Sequence, residues 1–244
     1  MPMNIVPIYR LDATHPQAQV CGACEVRRTA LFGALDDATL DRIHAHVDDL
    51  SVQVDGRIYG QGEAGGAVYT IRSGIVRFER ATSRGDRRIV RLAGQGDLIG
   101  QESLMKRAYA DDAVACTPVQ LCRIPRSLVD NLSETQAGLL RELMLRLQRA
   151  LDDAESWVAD LATGPARRRV LRLLLKLSEH ADSSGTVWLP RREDVGAMLD
   201  MTIETASRII SQLRREGVLE RSGPHAARID VAALREAALA QDLV

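Results

Sequence analysis

The sequence predicts an α+β chain in three parts: an N-terminal β-roll, a long dimerisation helix and a C-terminal winged helix-turn-helix domain. Three observations predict it. Strand-like runs alternate with glycine turns over residues 50–125, an apolar repeat of three and four runs from 140 to 161, and two helices separated by a short turn precede a strand-turn-strand tail. A chain of 244 residues, 45% hydrophobic, can fill one large core or two small ones.

The N-terminal segment, residues 1–28, carries Cys21 and Cys24 in "CGAC". It begins "MPMNIVPIYRLDATHPQ", without a basic stretch followed by an apolar one. No run in the chain approaches the roughly 18 apolar residues of a membrane span. The expectation is a cytoplasmic protein with no membrane contact. Four cysteines are too few for a disulfide scaffold and read as buried thiols, metal ligands or redox groups.

Residues 29–126 make the roll. "AVYTI" and "IVRFER" flank Ser73 and Gly74, "RRIVRL" follows the turn "SRGD", and further turns fall at 94–96 and at Gly100. Several short strands at close spacing argue for a barrel or jelly-roll-like unit. Residues 127–163 read as one helix, with Leu140, Leu143, Leu147, Leu151, Ala154, Val158 and Leu161 forming a seam. Such a seam, held for three heptads and flanked by charges, finds a second copy of itself, so these residues are the expected homodimer interface.

Thr163, Gly164 and Pro165 end that helix and open a domain over residues 164–237. A helix "ARRRVLRLLLKLSEHA", a polar loop, a strand "TVWL" and the pair "REDVGAMLD" and "TIETASRIISQLRRE" follow, then a hairpin around "GPH". Thr202 can cap the second helix of the pair, and Val195, Leu199, Ala206, Ile210 and Leu213 can pack together, with Gly196 letting the backbones approach. Glu204, Ser207, Arg208 and Ser211 fall on one polar stripe beside that apolar one. In a helix-turn-helix the second helix enters the major groove by its N-terminal half. Arg matches guanine O6 and N7, and a carboxylate accepts from cytosine. Glu204 and Arg208 are therefore expected to read bases and to hold one another extended, while Arg191 and Arg192 contact phosphates.

The charge distribution agrees. Residues 165–228 hold 12 Lys and Arg against 8 Asp and Glu, whereas residues 1–164 hold 19 against 22 and the tail 1 against 3. The only basic segment is the one with the helix pair, which suits double-stranded DNA as partner.

Roll, long helix and winged helix in this order resemble the CRP/FNR family of bacterial transcription regulators, over nearly the whole chain. The Glu204, Ser207, Arg208 pattern "E-x-x-S-R" resembles the recognition-helix signature of the FNR branch, which implies a palindrome of TTGAT-type half-sites. The resemblance also implies a cyclic-nucleotide-binding-like roll, and an RNA polymerase contact at the hairpin tip, residues 83–86. Asp200 stands where such turns usually have Gly, and Asp tolerates left-handed geometry.

What the roll senses is approached through the same resemblance. The CRP branch binds cyclic AMP with a Gly-Glu pair and an Arg-Ser pair. Here Gly100 to Ser103 read "GQES", but Asp111 and Asp112 stand where Arg-Ser is expected and would repel a phosphate. The FNR branch carries an oxygen-labile iron-sulfur cluster on three N-terminal cysteines and one near the end of the roll. Cys21, Cys24 and Cys122 match, while the third N-terminal position falls on Ala30. Cys116 and Cys122 would lie about 20 Å apart on a continuous strand, which places Cys116 in the core rather than on a cluster. A cluster with a non-cysteine ligand, a thiol-disulfide switch at Cys21 and Cys24, and a structural pair stay open, with oxygen or redox response the favoured signal. Heme-borne gas sensing is the weaker alternative, because His15, His44 and His46 lie outside the roll strands.

Rival classes fare worse. A metal-dependent cupin enzyme would place histidines on roll strands, and residues 47–179 contain none. A C-x-x-C oxidoreductase would want its pair at a helix start beside a βαβ unit. A ligand-binding adaptor that never touches DNA leaves the Glu204 and Arg208 stripe unexplained.

Overall fold

The structure, a computed structural model, describes residues 24, 26, 31–35, 39, 40, 43, 46–83, 85–182 and 184–242. Cys21, Ala30, His15 and His44 lie outside the described residues, as does most of the 1–28 segment. The chain divides into two compact units, residues 1–76 with 93–149, and residues 77–92 with 150–244.

Alternating apolar residues and left-handed glycines shape the roll. Its strands are β1 (Asp48–Val52), β2 (Arg57–Tyr59), β3 (Ala67–Ser73), β4 (Val76–Ala81), β5 (Arg87–Ala93), β6 (Leu98–Ile99), β7 (Asp112–Ala115) and β8 (Val119–Pro125). They form two four-stranded sheets, ordered β1-β8-β3-β6 and β2-β7-β4-β5. Gly74 (φ 91°) makes the β3–β4 turn, and a Cβ there would lie 2.4 Å from the Pro118 carbonyl oxygen, so only glycine fits. The apolar core of this unit joins Val68, Leu98 and Ile124 of the strands to Leu31, Leu35 and Ile43 before them and to Leu128, Leu132 and Leu139 after them.

The helix expected over 127–163 is two helices, α1 (Arg126–Thr135) and α2 (Ala137–Leu161). Gln136, at φ −123° and ψ 86°, breaks the run. Ser133 and Thr135 turn their hydroxyls back onto the Val129 and Leu132 carbonyls, competing with the backbone just before the break. The break changes the seam. Leu143 packs into the core of its own unit and Leu161 is 1% exposed, so neither faces a partner as expected. The exposed stripe is Leu140, Met144, Leu147, Leu151, Ala154 and Val158, spaced 4, 3, 4, 3, 4, with Met144 at 61% and Val158 at 62% exposed. Met144 takes the place assigned to Leu143 because the seven-residue repeat runs through 144, 151 and 158.

In the second unit α3 (Ala166–Ser178) buries Val170, Leu171, Leu174 and Leu177, and α4 (Arg192–Leu199) and α5 (Ile203–Arg215) pack on it. Three strands, β9 (Thr186–Trp188), β10 (Leu219–Gly223) and β11 (Ala226–Ile229), form a sheet ordered β10-β11-β9, the wing. A last helix α6 (Val231–Asp242) packs along α3, an element the sequence reading left as tail. No helix among the described residues is long and apolar enough to cross a membrane.

Candidate nucleic-acid interface

The helix-turn-helix is built by its apolar side. Val195, Met198 and Leu199 of α4 and Ala206, Ile209, Ile210 and Leu213 of α5 are buried. Asp200 closes α4 in the left-handed region (φ 52°, ψ 55°), as a short polar side chain can. Gly196 lies under the turn, where a Cβ would come within 2.8 Å of the Met201 carbonyl oxygen. From α3, Arg169 donates to the Leu199 carbonyl and Arg167 pairs with Glu216 at 2.6 Å. One helix therefore holds both the turn and the far end of α5.

The polar side of α5 starts at Thr202, whose hydroxyl accepts from the Thr205 N–H at 3.3 Å. That is an N-cap. Glu204 is fully exposed, and its carboxyl is held below the usual carboxylate range by its own backbone N–H and by Thr202. Here the structure corrects the expected pair: among the described residues no ion pair joins Glu204 to Arg208. An exposed i, i+4 pair is worth about 0.3–0.5 kcal/mol, and the helix N-terminus offers the carboxylate free N–H groups and a favourable dipole instead. Arg208 is left exposed and, among the described residues, without a carboxylate partner, with Ser207 and Ser211 half-buried along the same face.

The guanidinium groups of Arg221 and Arg214 act on that of Arg192. Burial first, then the like charges of Arg221 and Arg214, pushes Arg192 below the ordinary arginine range. Arg221 is aimed by its own turn, donating to the Gly223 carbonyl at 2.8 Å and the Pro224 carbonyl at 3.0 Å. Arg191 is the N-cap of α4 and is exposed. Arg214 and Arg221 were missed from sequence because they come from the end of α5 and from the wing, which only the fold brings beside the start of α4. Together these side chains gather positive charge at the start of α4.

The roll holds the remaining candidates. Cys116 is buried, 4% exposed, with its N–H on the Ile75 carbonyl, as a core thiol should be. Cys122, on β8 opposite Asp49 and Thr70, is half-buried, and so is Cys24. Burial lowers the Arg72 pKa, but Asp49 at 2.6 Å, Cys122 and Cys24 outweigh it and raise the net value. Among the described residues no group of three His, Cys, Asp or Glu is placed to hold a metal ion; Cys21 lies outside them.

Asp112 accepts the Gln61 N–H at 3.0 Å and stands 3.7 Å from Arg57. Glu102, the acid of "GQES", accepts the Ala110 N–H at 3.4 Å. Tyr59 stacks on Tyr109 with ring centroids 4.0 Å apart, and the Tyr109 hydroxyl donates to the Ala67 carbonyl at 2.8 Å. His46 is half-buried, ahead of the first roll strand.

Comparison with known proteins adds family, sequence and structural relatives. Residues 51–136 match the cyclic nucleotide-binding domain family and residues 168–237 the Crp-like helix-turn-helix domain family. A "probable transcriptional activator" of Rhizobium leguminosarum bv. viciae is 28% identical over 204 residues, 82% of this chain and 84% of its own. The fumarate and nitrate reduction regulatory protein of Vibrio cholerae is 24% identical over 226 residues, 89% of this chain and 90% of its own. Among solved structures, FixK2 from Bradyrhizobium japonicum superposes with a TM-score of 0.70 at 29% identity, covering 78% of this chain and 96% of that one.

Proposed function

Because the chain belongs to the CRP/FNR family of transcription regulators, DNA-binding proteins and not enzymes, we propose that it reads a palindrome of TTGAT-type half-sites as a homodimer and responds to oxygen or redox state. The observation that carries the reading is Arg208, exposed and with no carboxylate partner among the described residues, on the leading half of a helix that Thr202 caps. Arg208 and Glu204 address base edges. Thr202, Ser207 and Ser211 add hydrogen bonds along the same face. Arg191, Arg192, Arg214 and Arg221 neutralise phosphates.

The dimer forms through Leu140, Met144, Leu147, Leu151, Ala154 and Val158 of α2. That exposed stripe is a coiled-coil seam with one side missing. Two recognition helices must then stand about 34 Å apart to meet successive major grooves. Signal shifts the population of dimers that satisfy this spacing.

Two observations favour thiols over a cyclic nucleotide as the sensing chemistry. Asp111 and Asp112 stand where the family's Arg-Ser pair would hold a phosphate, and Cys24 and Cys122 are both half-buried within electrostatic range of Arg72. RNA polymerase is the proposed partner of the hairpin tip at residues 83–86.

The test is a binding titration on a TTGAT-type palindrome and on a scrambled duplex. Arg208→Ala should lose about 1–3 kcal/mol on the palindrome alone, whereas Arg192→Ala should weaken both duplexes alike and reduce the salt slope by about one. Equal losses on both duplexes for Arg208→Ala would remove base reading from that side chain.

A further inference from the structure

The second compact unit contains the hairpin of β4 and β5 together with the helix-turn-helix. A cleft of about 850 Å³ lies between them, with Thr82, Ser83 and Asp86 on one wall and Met201, Ile203 and Glu204 on the other. Charge fastens the two walls. Arg77 donates to Glu79 at 2.5 Å, Glu79 lies 3.2 Å from Arg87, and the Arg87 guanidinium reaches on to Asp194 in the first turn of α4. Arg88 pairs with Asp200 in the turn itself. Asp194 is 4% exposed. A carboxylate so buried needs a cation, and the chain supplies it from 107 positions away.

We propose that this hairpin is an autoinhibitory latch. While Arg87 holds Asp194 and Arg88 holds Asp200, the hairpin stands as the facing wall of the cleft in front of the N-terminal turn of α5. That turn is the part which must enter DNA first, so the inference rests on the reading of α5 given above. A major groove about 12 Å wide is filled by a helix of about 10–12 Å with its side chains. No second element fits beside the leading end. The hairpin and the duplex therefore compete for one face of α5, and Asp86 and Glu204 in the cleft make it a poor place for a phosphate.

The latch is tested on the full chain by removing both charges of the Arg87–Asp194 pair, Arg87→Gln with Asp194→Asn, so that no unpaired buried carboxylate remains. The affinity of the double variant for the TTGAT-type duplex should rise roughly tenfold, and its amides at residues 82–88 should exchange faster in the absence of DNA. Arg88→Gln, which leaves the buried pair intact, should raise affinity by a smaller factor and guards against a folding defect. Unchanged or weaker binding by both variants overturns the latch alone. Slow exchange at residues 82–88 in wild-type protein saturated with duplex also overturns it. Absence of salt-sensitive binding to any duplex, by wild type and variants alike, overturns the DNA-reading assignment and takes the latch with it.

Discussion

Single side chains carry more of this protein's behaviour than their exposure suggests, and Thr202 is the first. Its hydroxyl holds the leading end of α5 closed by accepting from Thr205, so Thr202→Ala should cost about 1 kcal/mol of stability in thermal or denaturant unfolding. Tyr109 is the second. Burial, with Tyr69 adding, pushes its hydroxyl up to about 12 from an ordinary value of 10. The neutral form is thus the one that the fold favours. Its contribution is complete below pH 10 and is lost as the pH rises through about 12. A spectrophotometric titration should find one tyrosine ionising near 12, absent in Tyr109→Phe, and that variant should lose about 0.5–1.5 kcal/mol with its hydrogen bond. Among the cysteines, Cys24→Ser and Cys122→Ser are expected to abolish any difference in DNA affinity between oxidised and reduced protein, and Cys116→Ser to preserve it.

At the scale of elements, α2 separates two apolar faces that one periodicity could not tell apart. Leu143→Ala should destabilise the protomer by about 2–5 kcal/mol because it opens a cavity in a packed core. Leu151→Glu, on the open stripe, should leave unfolding nearly unchanged and shift the sedimentation coefficient from dimer to monomer. The sequence made the roll, the turn at Asp200 and the capped recognition helix legible because each depends on local chemistry: glycine turns, a left-handed Asp, a Thr before a helix. It did not reveal the break at Gln136, since apolar spacing continues through it, nor α6, whose packing partner α3 lies some sixty residues earlier. The Glu204 to Arg208 pair failed for the same reason in miniature: spacing allowed it, and a nearby helix end offered the carboxylate something better. At the other end of α5, Arg167 first and then Gln212 hold the Glu216 carboxyl below its ordinary 4.5. That support is present above pH 4.5 and disappears as the pH falls through the depressed value. Glu216→Gln should therefore flatten the acid limb of the stability profile.

For the whole molecule, a net charge of −1 conceals a basic reader carried by an otherwise acidic chain. Its affinity for DNA should fall steeply with salt, each neutralised phosphate contributing about 0.9 to the logarithmic slope, while stability should hardly respond. Anaerobic purification with iron and sulfide analysis divides the sensing chemistries: a colourless, iron-free protein whose operator affinity still follows oxidation leaves the thiols around Arg72 as the sensor. The open stripe on α2 has a consequence for the cell as well. On the proposed dimer, two copies must meet before either reads a full site, so occupancy of a promoter scales with the square of abundance when the protein is scarce. Modest changes in synthesis or turnover then act as a second input, setting a threshold below which the gene does not respond to the signal at all.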